Sequence, residues 1–150
     1  MGKSFWIMLI AAFVVINEIL VDWVLAVSVG DFGVTEGFSE VTRYLTVDSL
    51  LFAAGFRVIP YGALMLVGLT TRLKRSVPGK VALWFALLAI AAIHFSGYWG
   101  MQHSLYTPAH TSSTSVLALI FVPIHAVWIG ALTGGAVLMG AKLGIRLVKR

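Results

Sequence analysis

The chain contains no cysteine, and only 11% of its 150 residues are charged. The absence of cysteine excludes disulfides, thiolate metal sites and thiol redox chemistry. The shortage of charge excludes a soluble globular domain, in which about 25% of residues are charged, and a disordered chain. Hydrophobic residues make up 59% of the sequence, and its mean hydropathy is +0.95. The composition therefore predicts an integral membrane protein.

A membrane-spanning helix needs about 20 mostly apolar residues, and four stretches of the chain meet that length. These predicted spans cover residues 5–29, 50–71, 81–101 and 115–138 of a single domain, 1–150. Asn17, Glu18 and Asp22 stand where a signal peptide would carry small residues for cleavage, so we interpret the first stretch as a retained span. The sequence predicts an all-α, multi-pass protein with four transmembrane helices in an antiparallel bundle.

Basic residues concentrate on one side of these predicted spans. Arg43 alone falls on the opposite side, together with four acidic residues. The positive-inside rule then places both termini and the 72–80 loop in the cytoplasm, and we expect a bacterial or archaeal inner membrane. Because no basic patch interleaved with aromatic residues exists, nucleic acid is not an expected partner. The nine basic residues on the inner side are Lys3, Arg72, Lys74, Arg75, Lys80, Lys142, Arg146, Lys149 and Arg150.

The polar segment between the first two spans has a helical pattern of its own. Val34, Phe38, Val41 and Leu45 recur at helical spacing, with charged residues between them. A short amphipathic helix lying on the outer surface of the membrane would bury that stripe in lipid and keep the charges in water.

Three charged residues lie inside predicted spans, where each costs about 2.5–3.5 kcal/mol at the helix centre. Glu18 and Asp22 are four residues apart and share one face of the first span. From the helical rise of about 1.5 Å per residue, Asp22 and Arg57 lie about 10 Å below the outer ends of their spans, and Glu18 about 16 Å. Arg57 is therefore expected to reach either carboxylate, and the acid left over is predicted to protonate readily.

Two histidines and two tyrosines are predicted to lie in the same outer layer of the membrane. Each tyrosine follows a polar residue at i+4, so that Tyr61 shares a face with Arg57, and Tyr98 with His94. The alternative is a structural network, because polar side chains join membrane helices at about 0.6–2 kcal/mol each. The candidate buried polar or ion-binding site comprises Asn17, Glu18, Asp22, Arg57, Tyr61, His94, Tyr98 and His125.

Further features are less specific. Pro60 and Pro123 lie inside the second and fourth spans, where each is expected to kink its helix. Gly130 and Gly134 form a GxxxG pattern, which suits close helix packing or a contact between copies. In the outer loop, where Tyr106 also lies, His103 and His110 are expected to be solvated.

Four functions remain open from the sequence. The first is proton- or ion-linked transport of a small solute, with a homo-oligomer expected because four helices enclose only a thin pathway. The second is a redox subunit that binds quinone or haem b, with His94 and His125 as the haem ligands. The third is a membrane enzyme acting on a lipid or other hydrophobic substrate, and the fourth is an accessory subunit of a larger membrane complex. Apart from haem iron, no metal site is predicted.

Overall fold

The computed structural model describes residues 1–107 and 117–148, and this part of the chain is all-helical, with no strand. Two short 3-10 turns, Arg72–Arg75 and His103–Leu105, follow the fourth and fifth helices. The six α-helices are α1 Lys3–Val15, α2 Glu18–Ser28, α3 Val34–Thr42, α4 Val47–Thr70, α5 Val77–Gln102 and α6 Ala118–Val148.

Three of these helices, α4, α5 and α6, are long and apolar enough to cross a membrane. Helices α1 and α2 pass the same test together, so the number rises to four if this pair forms one span. Large apolar side chains on these helices point outward, among them Leu51 on α4, Leu88 on α5 and Leu132 on α6. Soluble proteins rarely expose apolar surface of this extent. The structure is that of a membrane-embedded helical protein.

The prediction of one continuous helix over residues 5–29 is wrong. The chain bends by 62° between α1 and α2. The break falls at Ile16 and Asn17, and the side chain of Asn17 is the physical reason for it. Asn17 Oδ1 accepts hydrogen bonds from the backbone N–H groups of Ile19 and Leu20, each at 2.9 Å. Its amide nitrogen donates to the carbonyl of Val14 at 2.7 Å. One side chain therefore caps the end of α1 and the start of α2.

The other predicted spans correspond to helices with somewhat different ends. Helix α4 begins at Val47 because Thr46 and Ser49 form a capping box ahead of it. Helix α5 begins four residues earlier than predicted, at Val77, where Ser76 caps the backbone N–H of Gly79. Helix α6 continues to Val148, well beyond the predicted end at residue 138. The start predicted for the fourth span, at residue 115, lies outside the described residues. Both interior prolines, Pro60 and Pro123, are buried.

Helices α5 and α6 pack along a seam of small residues. A Cβ atom added to Gly130 would lie 2.7 Å from Cγ1 of Ile90, and one added to Gly134 would lie 3.2 Å from Cβ of Ala86. At the other end of the seam, Gly97 leaves no room for a Cβ beside Val122. Since the contacts pair rising residue numbers on one helix with falling numbers on the other, the two helices run antiparallel. The GxxxG glycines thus serve packing within the chain.

Helix α3 forms within the segment where a short helix is expected. It is tied to α2 by the indole N–H of Trp23, which donates to the carbonyl of Val34 at 2.9 Å. Gly37 faces α2, because a Cβ there would lie 3.3 Å from Cγ2 of Val27. The side chains of Val34 and Phe38 are exposed. The ring of Phe38 packs edge-on against Trp23 of α2 at a centroid distance of 5.8 Å, so the apolar stripe of α3 is in part exposed and in part in contact with α2.

Candidate functional site

The buried ion pair between Glu18 and Arg57 is the centre of the candidate site. Glu18 is the first residue of α2, directly after the break, and Arg57 lies in the middle of α4. The guanidinium donates from Nη1 to Oε2 of Glu18, and only 9% and 12% of the two side chains are exposed. The Arg57 guanidinium also lies 5.0 Å from the ring centroid of Phe13, in a cation–π contact. Arg57 thus joins α1, α2 and α4.

Asp22, one turn further along α2, has a different partner. Tyr106 donates its hydroxyl hydrogen to Oδ1 of Asp22 at 2.9 Å. Tyr106 also packs on the α2–α3 connection, since a Cβ at Gly30 would lie 2.6 Å from its Cδ1. Burial, and then the hydrogen bond to the Asp22 carboxylate, raise the pKa of Tyr106 above its usual range. The ring is half-buried because it covers the end of α2.

Three aromatic side chains form a column beside the ion pair. His94 lies between Tyr61 and Tyr98, with ring centroids at 5.2 Å and 5.7 Å. All three residues are at most 2% exposed. His94 Nδ1 donates to the carbonyl of Ile90 at 2.8 Å, so in the neutral ring Nε2 is an acceptor. Because Arg57 is a charged neighbour of all three rings, the column and the ion pair form one site.

Gln102 and Phe13 also belong to this site, and sequence reasoning missed both. The amide of Gln102 is buried and donates to the backbone carbonyl of Glu18 at 2.8 Å. A signal for Gln102 was present, because it follows His94 and Tyr98 at i+8 and i+4. The prediction omits Gln102 because the predicted span ends at residue 101. Nothing in the sequence singles out Phe13 from other apolar residues of its helix. We call the set Phe13, Glu18, Arg57, Tyr61, His94, Tyr98 and Gln102 the polar cluster.

The polar cluster contains buried polar atoms without hydrogen-bond partners. Within residues 1–107 and 117–148, five buried side-chain atoms lack a hydrogen bond of good geometry, and all five belong to this cluster, in which the side chains of Arg57 and Tyr98 are close enough to interact. Buried polar atoms in proteins nearly always have partners, so a concentration of exceptions calls for an explanation. The cluster offers donors and acceptors to water, a proton or a small solute. The five atoms are Arg57 Nε, Tyr61 OH, His94 Nε2, Tyr98 OH and Gln102 Oε1.

The structure does not bring the remaining candidates into the polar cluster. Asn17 acts as the double cap described above. His125 lies on the exposed surface of α6, where its Nδ1 donates to the carbonyl of Phe121 at 2.7 Å. His103 stacks on Trp99 at a centroid distance of 6.4 Å. His110 falls outside the described residues.

The two histidines proposed as haem ligands do not fit that role in this arrangement. An iron-bound imidazole needs open space beside its nitrogen for the metal and the porphyrin. His94 is 0% exposed and enclosed by two tyrosines, whereas His125 is exposed on the surface of a different helix. In the described ranges, no group of three or more His, Asp or Glu side chains is placed to hold a metal ion.

The fold and the site define a class: a helical membrane protein with a broken helix and a buried polar cluster at the break. Comparison with protein-family models, curated proteins and solved structures found no match to this chain.

Proposed function

We propose that the protein is a membrane transporter that couples movement of a small anionic solute to movement of a proton. The observation that carries this proposal is the convergence of the Glu18–Arg57 ion pair with the unpartnered buried atoms of Tyr61, His94 and Tyr98. An unsatisfied buried polar group costs about 1–3 kcal/mol. If these side chains served only to join the helices, several buried polar groups without partners would not be expected at one depth of the membrane.

The broken helix supports the same function. Irregular backbone at membrane depth is tolerated where it is enclosed by protein or lines a cavity, and transporters build solute and ion sites from discontinuous helices. Here Asn17 satisfies the backbone groups at the break, and the following residue, Glu18, holds the ion pair. The break thus places a carboxylate at the positive end of the α2 dipole.

Charge balance indicates an anion as the solute. With Glu18 ionised, the buried pair with Arg57 is neutral overall. A proton on Glu18 removes one negative charge and leaves Arg57 without a counter-ion in a low-dielectric site. Binding of an anion to Arg57 restores neutrality, so that proton and anion enter together. The hydroxyls of Tyr61 and Tyr98 then donate hydrogen bonds to the anion, and His94 Nε2 accepts one from a protonated group or water.

The test is proton movement in liposomes that contain the purified protein and a pH-sensitive dye. Chloride, phosphate and succinate gradients are imposed in turn against impermeant gluconate. We expect at least one anion to drive proton entry, and Glu18→Gln to abolish it. The amide oxygen of Gln still accepts a hydrogen bond from Arg57, and size-exclusion chromatography of the variant checks that it folds before reconstitution. Glu40→Gln is the matched control, because Glu40 pairs with Arg43 on exposed α3, away from the polar cluster. Proton entry unchanged in Glu18→Gln, or absent from the wild type with all three anions, would overturn the proposal.

We further propose the topology that this function requires. Helices α1 and α2 form the first of four antiparallel spans in a bacterial or archaeal inner membrane, with both termini in the cytoplasm and α3 on the outer surface. Because the chain has no cysteine, single cysteines report sidedness to an impermeant maleimide. Ser39→Cys in α3 should react in intact cells, and Val77→Cys only after permeabilisation. The reverse pattern would invert the topology. We also propose a homo-oligomer, which light scattering of the purified protein tests.

A further inference from the structure

We propose a second site, independent of the transport function: a groove between α4, α5 and α6 that binds an anionic phospholipid. Its acyl chain lies in the groove, and its phosphate lies at the basic end of the bundle, near Arg72 and Lys142.

The groove is a cavity of about 320 Å³ whose lining residues are all apolar. It runs along the later half of α4, the first half of α5 and the middle of α6. On α6 the groove is lined mainly by glycine and alanine. A Cβ atom added to Gly135 would meet nothing within 4 Å. Small residues therefore create the space, and an extended hydrocarbon chain is the shape that fits it.

The groove ends among cationic residues. Leu73 and Leu138 line its end. Arg72 directly precedes Leu73, and Lys142 follows Leu138 by one helical turn on the same face of α6. Both basic side chains are exposed. An apolar groove that leads to two cationic side chains matches an amphiphile with a negative head, whereas a free anion would gain nothing from the groove.

No acidic residue in the chain is available at this end to neutralise the positive charge. All six acidic residues lie between Glu18 and Asp48, and the sequence from residue 49 to residue 150 contains none. In the described part of the chain, ion pairs form at Glu40–Arg43 and Glu18–Arg57. Arg72 and Lys142 are therefore available to an anion from outside the chain. Basic pockets between membrane helices on the cytoplasmic side bind anionic headgroups in this way.

The test compares retention of phosphatidylglycerol and phosphatidylcholine by the detergent-purified protein, measured by native mass spectrometry. We expect roughly tenfold tighter retention of phosphatidylglycerol, and a loss of that preference in the Arg72→Gln/Lys142→Gln double variant. Arg43→Gln is the charge control and should keep the preference, because Arg43 has Glu40 as its partner.

A second variant tests the groove without altering charge. Gly135→Leu places a side chain in the groove, where the added Cβ meets nothing within 4 Å, and should weaken retention of both lipids. Gly140→Leu, which lies outside the groove on the same helix, should not. Equal retention of the two lipids by the wild type, or wild-type behaviour of Gly135→Leu, would overturn the proposal. Displacement of phosphatidylglycerol by inorganic phosphate at equal concentration would also overturn it, in favour of a soluble-anion site.

Discussion

The α5–α6 seam and the polar cluster join helices by opposite means. At the seam, Gly97, Gly130 and Gly134 let the two longest helices approach closely through apolar contacts. In the polar cluster, an ion pair and a column of polar aromatic rings join α2, α4 and α5, with buried polar atoms left unpartnered. Small-residue packing thus joins α5 and α6 without any polar side chain. The difference favours a functional role for the polar cluster.

The largest effect that tests this comparison is expected from Arg57→Met. The substitution leaves the carboxylate of Glu18 buried without its counter-ion, which costs about 3–5 kcal/mol. The measurement is unfolding of the detergent-purified protein by heat and denaturant. The double variant Glu18→Met/Arg57→Met should recover most of the lost stability while remaining inactive in the liposome assay. A single variant as stable as the wild type would mean that the pair is solvated, and the contrast with the seam would disappear.

An intermediate effect is expected at the seam from Gly130→Leu. A Cβ there already lies 2.7 Å from Ile90, so the larger side chain forces α5 and α6 apart at a cost of about 2–3 kcal/mol. The same unfolding measurement applies, with Gly140→Leu as the control because a Cβ at Gly140 meets nothing within 4 Å. If both variants unfold alike, close approach at the seam contributes nothing, and the polar cluster is what joins the helices.

The smallest effect is expected from Tyr106→Phe, which removes the hydrogen bond to Asp22. Since Tyr106 is half-buried, the loss should be about 1 kcal/mol. The raised pKa of Tyr106 sets a pH dependence. The folded state holds the phenolic proton more tightly than the unfolded state, so this contribution is complete below about pH 10 and is lost as the pH rises further. Stability of the wild type minus that of the variant should therefore be constant below about pH 10 and shrink as the pH rises above it. A difference that did not shrink would contradict the assignment of this hydrogen bond.

Much of the helical content follows from local sequence, whereas the shape of the first predicted span does not. The lengths of the apolar runs predict α4 and α5 to within a few residues, because a continuous apolar run of that length is stable only as a helix in lipid. The same rule predicts a continuous helix over residues 5–29, and there it fails. Asn17 followed by Glu18 is a helix-start signal. Apolar residues flank this signal on both sides. The hydropathy of the stretch therefore indicates one long apolar segment and does not reveal the helix cap within it.

The candidate site, too, is predictable from the sequence only in part. Glu18, Arg57, Tyr61, His94 and Tyr98 stand out in the sequence because polar residues within spans are costly, and the structure places them together. The partner of each carboxylate depends on how the helices rotate and bend. The 62° bend brings Glu18 to Arg57, and the fold over the end of α2 brings Tyr106 to Asp22. His125 has the same chemistry as His94, but α6 is rotated so that Gly130 and Gly134 face α5 and His125 faces outward.

The sequence by itself therefore determined that this protein is helical and membrane-embedded, and which residues are expensive to bury. Those properties follow from composition and from the lengths of apolar runs, which depend only on the local sequence. Only the tertiary structure decided which of these polar and charged residues contact one another. Helix rotation at a glycine seam and the bend at Asn17 are settled by packing among several helices, and a shift of one residue around a helix turns a side chain by about 100°.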